Sequence, residues 1–188
     1  MAKKNRRYLG HLLISNPNNP KDELERSVIM IVTHTDSVGI GLQINNPNFD
    51  LPLGKVCHNM GIDYNGLEPI WYGGNMMQNK IHVIHSMDWR GLSTVALNKD
   101  IGITNDISIL AAISRGEGPE YFKACTGYWL WEDSRLDIQL DPRNRLETEP
   151  HKWELIPASI DNTFEVDYED CWQNAIEEVA RLKVSEWI

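Results

Sequence analysis

The chain has 188 residues, 41% of them hydrophobic and 24% charged, with a formal net charge of −9. That size and balance predict one folded domain with a substantial core and argue against wholesale disorder. No apolar run approaches the ~20 residues that cross a bilayer as a helix. The basic start, Met1 to Arg7, leads only into Leu12-Leu13-Ile14 and then Asn and Pro, so no secretory segment is read. A cytoplasmic protein without a membrane span is expected.

Charge is unevenly placed. Residues 1–116 carry 11 basic and 10 acidic side chains, whereas residues 117–188 carry 7 and 17. An acidic second part repels phosphate backbones, which disfavours direct nucleic-acid binding. Such a surface either keeps the protein in solution or docks a basic partner. Cys57, Cys125 and Cys171 lie far apart with no C-x-x-C, a pattern that speaks against a disulfide framework or a structural zinc site. Seven tryptophans call for aromatic packing or an aromatic contact surface, with packing the favoured reading.

In chain order, residues 1–7 read as a flexible basic tail and residues 8–188 as a single domain. Tyr8–Ser15 reads as a strand, ended by the turn cluster Asn16-Pro17-Asn18-Asn19-Pro20. Ser27–Thr33 is β-branched and apolar, as in a strand buried on both faces. Asp36-Ser37-Val38-Gly39 reverses it into Ile40–Ile44, giving a hairpin. Residues 45–65 are turn-rich, with a short helix around Lys55–Asn59. Ile70–Tyr72, Ile81–Ile84 and Thr94–Leu97 are further strands. Asn105 or Asp106 caps a helix carrying Ile107, Leu110, Ala111 and Ser114 on one side, and Gly116 stops it. Tyr121–Trp131 is another strand, while residues 132–152 are polar and give no clear element. Asp167 opens the last helix, with Trp172, Ala175, Ile176, Val179 and Leu182 at helical spacing. Glu169 and Asp170 in its first turn and Arg181 and Lys183 in its last suit the helix dipole. The pattern is that of an α+β domain with a mixed, largely antiparallel sheet and a few packed helices.

Motifs that carry chemistry are incomplete. Gly39-Ile40-Gly41 and Gly116-Glu117-Gly118 each begin G-x-G-x-x-G, but Ile44 and Tyr121 stand at the third glycine. Neither a phosphate-binding loop nor a G-x-S-x-G elbow is present. His82 and His85, three apart on a strand, point to opposite faces and do not share a metal. Cys57-His58 are adjacent, which rarely gives productive thiolate–base geometry, and Cys57 reads as a small apolar side chain. Gly73-Gly74 permits a bulge or a close backbone crossing, or else a ligand's approach to main-chain N–H groups. No metal or cofactor is expected.

One set of residues carries a resemblance. Gly10, Leu12-Leu13-Ile14-Ser15-Asn16-Pro17, Arg26-Ser27-Val28, His34 and Gly39-Ile40-Gly41-Leu42-Gln43-Ile44-Asn45 form a first block. Tyr72-Gly73-Gly74 and His85-Ser86 form a second, and Gly118-Pro119-Glu120, Gly127-Tyr128, Trp131, Leu136, Trp153, Phe164 and Trp172 a third. In order and spacing the chain resembles the YqgE/AlgH family of bacterial proteins. It departs at Asn75, where a proline is usual, at Asn46, where a basic residue is usual, and at Ser134-Arg135. The resemblance implies a bifurcated sheet curled into a pseudo-barrel, and it implies no established biochemical role. A regulatory role in transcription is attached to the family, yet no helix-turn-helix pattern occurs in this sequence.

The leading expectation is a non-enzymatic binding or regulatory protein acting through a protein partner. The alternative is a hydrolase-like enzyme with a site near Arg26, His34, Asn45, Gly73, Gly74 and His85. Arg26 there offers a planar fork for an anion, unless it merely pairs with Glu23 or Asp22. A weaker third reading is nucleic-acid binding through Lys3, Lys4, Arg6 and Arg7.

Overall fold

The structure is a computed structural model that describes residues 7–18, 22–144, 146 and 150–185. Of the expected basic tail, only Arg7 falls within that range. Ten strands are described: β1 His11–Ser15, β2 Val28–His34, β3 Gly39–Gln43, β4 Pro47–Pro52, β5 Pro69–Tyr72, β6 Met76–Ser86, β7 Val95–Ala96, β8 Ile101–Thr104, β9 Phe122–Trp131 and β10 Trp153–Pro157. Four α-helices join them: α1 Leu53–Asn59, α2 Ser108–Ser114, α3 Arg135–Leu140 and α4 Tyr168–Ser185, with a π-helical turn at Asp161–Glu165.

The strand order is β10-β1-β2-β3-β9-β6-β8-β7, antiparallel throughout. The fork lies in β9. One edge of β9 pairs with β6, while the other gives Trp129–Trp131 to β3 and, farther back, pairs Cys125 and Thr126 in parallel with Trp71 and Tyr72 of β5. Gly127 marks the split with φ +69°. Gly73 and Gly74 cross it so closely that a Cβ at Gly73 would lie 2.6 Å from the Gly127 carbonyl oxygen, and one at Gly74 would collide with the main chain of Tyr128 and Trp129. The glycine pair therefore serves the backbone crossing.

The sheet curls into a half-barrel, and its two ends meet without a ladder. Asn98 donates from its side chain to the Ala158 carbonyl at 3.0 Å, and Gly10 packs against the Leu97 carbonyl. Period-2 alternation in β1 and β2 feeds both faces of the sheet. Leu12, Ile14, Val28 and Met30 join the cluster covered by Cys171, Ala175 and Val179 of α4, while Leu13, Ile29 and Ile31 meet Trp129, Trp131, Leu136 and Trp153. A third cluster packs Leu53 and Cys57 of α1 and Ile109, Leu110 and Ile113 of α2 against Val83 and Ala124.

Most of the described tryptophans serve packing. The indole N–H groups of Trp131 and Trp153 both donate to Gln139 Oε1, at 3.2 and 2.9 Å. The three cysteines are buried, separate thiols. Burial pushes the Cys125 thiol up to about 12.

Several local readings change, among them a strand at Ile101–Thr104 that was not read and a β6 that runs from Met76 to Ser86. The α2 helix begins at Ser108, after Asp106 Oδ1 accepts the Ser108 N–H at 2.9 Å, so its buried face is Ile109, Leu110, Ala112 and Ile113 and Ile107 is half exposed. The polar stretch after β9 contains α3, and it leads into β10, which pairs with β1 from Ser15–Trp153 to His11–Pro157. In the turn-rich segment, Pro47–Pro52 is a strand whose register with β5 is interrupted between Asn48 and Pro52. Proline and aspartate hide such a short edge strand from propensity.

Candidate functional site

The six singled-out residues do not converge. In the hairpin, His34 pairs with Gly39 and Ile29 with Gln43, so Asn45 lies beside the start of β2 and His34 at the far end. His34 is buried beneath Tyr8, ring centres 4.8 Å apart, with Nε2 3.4 Å from Asp137 Oδ2. Neither ring nitrogen forms a hydrogen bond with a described residue. His85 is fully buried on β6, edge-on to Trp89 at 5.4 Å, and its Nδ1 meets the Ser86 carbonyl at 2.8 Å. Burial holds its pKa below the ordinary value. Ser86 and Asp88, hydrogen-bonded to each other, clamp the start of β9: Ser86 Oγ accepts the Tyr121 N–H and Asp88 Oδ2 the Glu120 N–H. The Gly73 N–H is spent on the Thr126 carbonyl at 2.8 Å, and the Gly73 carbonyl accepts the Gln43 N–H at 2.9 Å.

Arg26 and Asn45 do come together, at the open end of the hairpin. Asn45 Nδ2 donates to the Arg26 carbonyl at 2.8 Å, and Asn45 Oδ1 accepts the Val28 N–H at 3.0 Å. These bonds hold a tight entry into β2 in which Arg26 takes φ +55°. Above this corner lies a cleft of about 380 Å³, lined by Glu23, Glu25, Arg26, Gln43, Asn45 and Asn46 on one side and Tyr168, Glu169, Trp172 and Gln173 on the other. The α4 helix builds the second wall. Asp167 Oδ1 accepts the Glu169 N–H at 3.3 Å, and the Trp172 indole N–H is fixed by the Ser15 carbonyl at 3.0 Å. Phe49 extends the aromatic rim, edge-on to Tyr168 at 5.6 Å.

Arg26 forms no ion pair with a described residue. Its guanidinium carbon stands 5.4 Å from the centre of the Trp172 ring. Arg26, Trp172 and Glu25 also line a smaller cavity of about 190 Å³. Three carboxylate residues, Glu23, Glu25 and Glu169, share this lining with one guanidinium, where an anion site was expected from Arg26 alone. Asn46, where the resemblance expected a basic residue, lies in the same wall.

Gln43, quoted only within the resemblance, and Lys123 were not among the site residues read from the sequence. Gln43 is 5% exposed, and its Nε2 donates to Ser27 Oγ at 3.1 Å while no described residue donates to its Oε1. Lys123, also 5% exposed, donates to the Ile44 carbonyl at 2.8 Å and stands 4.0 Å from the Trp71 ring centre. Burial lowers its pKa. A polar residue at an inward position of an apolar strand was the available signal for both. Among the described residues no group of three metal-ligating side chains occurs, and no helix is long and apolar enough to cross a membrane.

Fold and cleft together define a curled α+β half-barrel whose final helix walls an acidic, aromatic cleft. The chain belongs to the AlgH-like family, whose model matches residues 12–182. It is 29% identical over 169 residues to a UPF0301 protein of Methylococcus capsulatus, covering 89% of this chain and 88% of the relative. A UPF0301 protein of Shewanella loihica is 30% identical over 172 residues, covering 89% and 88%. The solution structure of AlgH from Pseudomonas aeruginosa superimposes with a TM-score of 0.71 at 25% identity, covering 93% of this chain and 90% of that one. A crystal structure of a Corynebacterium diphtheriae protein shares the fold, with a TM-score of 0.70 at 17% identity over 94% and 89% of the two chains.

Proposed function

We propose that this protein is a non-enzymatic binding or regulatory protein that acts through a protein partner, and that the partner presents a basic segment to the α4 side. One observation carries the reading. Between residues 161 and 180 stand Asp161, Glu165, Asp167, Glu169, Asp170, Glu177 and Glu178 and no lysine or arginine, and all but Glu178 are exposed. Glu23 and Glu25 add to this field across the cleft. A one-signed field of this kind speeds encounter with a basic surface and suppresses acidic ones.

Capture from the source cell followed by crosslinking mass spectrometry tests it. The expected partner is crosslinked through a lysine- and arginine-rich segment to residues 161–178. Its capture weakens as salt rises and is lost on combined Asp161→Lys, Asp170→Lys and Glu177→Lys exchange, positions outside the cleft. Crosslinks confined to the α2 side overturn the reading, as does tight binding of duplex DNA at physiological salt.

A further inference from the structure

Gln43, which lines the cleft at the open end of the hairpin, carries a buried side-chain oxygen to which no described residue donates. Asn45 fixes the geometry. Its Oδ1 is committed to the Val28 N–H and its Nδ2 to the Arg26 carbonyl, so it turns its oxygen towards Gln43. Gln43 answers with nitrogen, at 3.5 Å to Asn45 Oδ1 and 3.1 Å to Ser27 Oγ. The amide orientation follows from this network. Gln43 Oε1 is left buried and unpartnered in a side chain that lines the cleft. A buried carbonyl without a donor is a standing cost to a fold, and is uncommon unless something else uses it.

The remaining walls suit one chemical group. Glu23, Glu25 and Glu169 offer carboxylates, and Trp172 offers an aromatic face held in place by the Ser15 carbonyl. A guanidinium stacks flat on such a face while its in-plane N–H groups reach a carbonyl and a carboxylate at once. An ammonium has the charge without the plane. The protein's own guanidinium, Arg26, already lies over Trp172 without an ion pair to any described residue. We infer that the cleft binds an arginine side chain of the partner's basic segment, and that Arg26 is an internal surrogate displaced from Trp172 on binding. This rests on the partner reading above and names the group recognised at its centre.

The test is a titration of the full-length protein with N-acetyl-arginine amide, followed by NMR at the Trp172 indole and the Gln43 side-chain amide. The lysine, citrulline and aspartate analogues serve as comparison probes. The arginine probe shifts both signals and binds about tenfold more tightly than the lysine probe. The citrulline probe, planar but uncharged, fails to bind. Glu169→Gln, at an exposed position that leaves the fold intact, and Gln43→Met each weaken binding by about tenfold. Arg26→Gly, which tolerates the positive φ, tightens it severalfold by clearing the Trp172 face.

An aspartate probe that binds and is lost in Arg26→Gly overturns the inference in favour of an anion site. Arginine binding untouched by Glu169→Gln, or no shift at Trp172, overturns it as well. The charge exchanges at Asp161, Asp170 and Glu177 lie outside the cleft, so failure of the partner reading there is distinguishable from failure of the arginine site here.

Discussion

At one end of the β2–β3 hairpin, Gln43 donates to Ser27 and Asn45, and Gln43 and Asn45 line a cleft. At the other, His34 lies under Tyr8 and beside Asp137 with 1% of its side chain exposed. The covering element makes the difference. Over the His34–Gly39 pair, α3 brings Leu136 so close that a Cβ on Gly39 would be 2.7 Å from Leu136 Cδ2. Over the Ser27–Gln43 end, α4 supplies Trp172 and Tyr168 as a wall rather than a roof. A polar residue beside an apolar strand is thus a packing element at one end and part of a recognition surface at the other, and only the covering helix decides which.

The largest effect should come from the wall. Trp172 packs against the α4-side core, holds the Ser15 carbonyl and carries Arg26 on its outer face. Trp172→Ala is expected to lower stability by about 3 kcal/mol, the low end for a large aromatic because the ring is only half-buried. Urea titration should show it as an earlier midpoint in one cooperative transition, as the single-domain proposal requires. A loss below about 1 kcal/mol would mean that the wall does not depend on packing, and two separated transitions would break the single-domain proposal.

Much of the sheet was legible in the sequence and the site much less so. Val28 to Val32 and the turn at Asp36–Gly39 specify a two-sided strand and its hairpin through β-branching and turn chemistry alone. The helix at 168–185 follows from its apolar spacing and from Asp167. By contrast β10 depends on pairing with β1, and no local signal in Trp153–Pro157 announces a partner 138 or more positions away. The site residues read from the sequence span both ends of the hairpin. Residues 34 and 45 flank one turn, but the register places Asn45 beyond Gln43, opposite the start of β2. Nearness in sequence around a hairpin becomes distance along it as the strands lengthen. The apolar spacing that includes Trp172 gives the docked face of α4, but not the end of the hairpin it covers, and Tyr168 and Glu169 reach the cleft only through that docking.

Asn45 sharpens the comparison from the open end. Both ends of its side-chain amide are bonded to main chain, and it also fixes the orientation of Gln43. Asn45→Ala leaves the Val28 N–H and the Arg26 carbonyl without these partners, for an expected loss of about 2 kcal/mol by urea titration. The Gln43 amide signal in NMR should broaden or move in the same variant, because the oxygen that selects its orientation is gone. An unchanged Gln43 signal would show that Ser27 alone sets that orientation, and the assignment of the orphan oxygen would fall with it.

His34 should show the smallest effect, although it is the more deeply buried of the two. Neither ring nitrogen forms a hydrogen bond with a described residue, so an apolar replacement removes no satisfied polar group among them. What it does remove is the tilted contact with Tyr8 and the approach of Nε2 to Asp137, whose carboxylate is 38% exposed and solvated without it. Leucine restores most of the buried volume beneath Tyr8. His34→Leu is therefore expected to change stability by less than about 1 kcal/mol in either direction, and to leave arginine binding at the opposite end of the hairpin unaltered. A loss of about 3 kcal/mol, comparable to that of Trp172→Ala, would show that the His34–Asp137 pair holds α3 in place. The closed end would then be an ionic latch, and the contrast between the two ends would have to be drawn on charge instead of on packing.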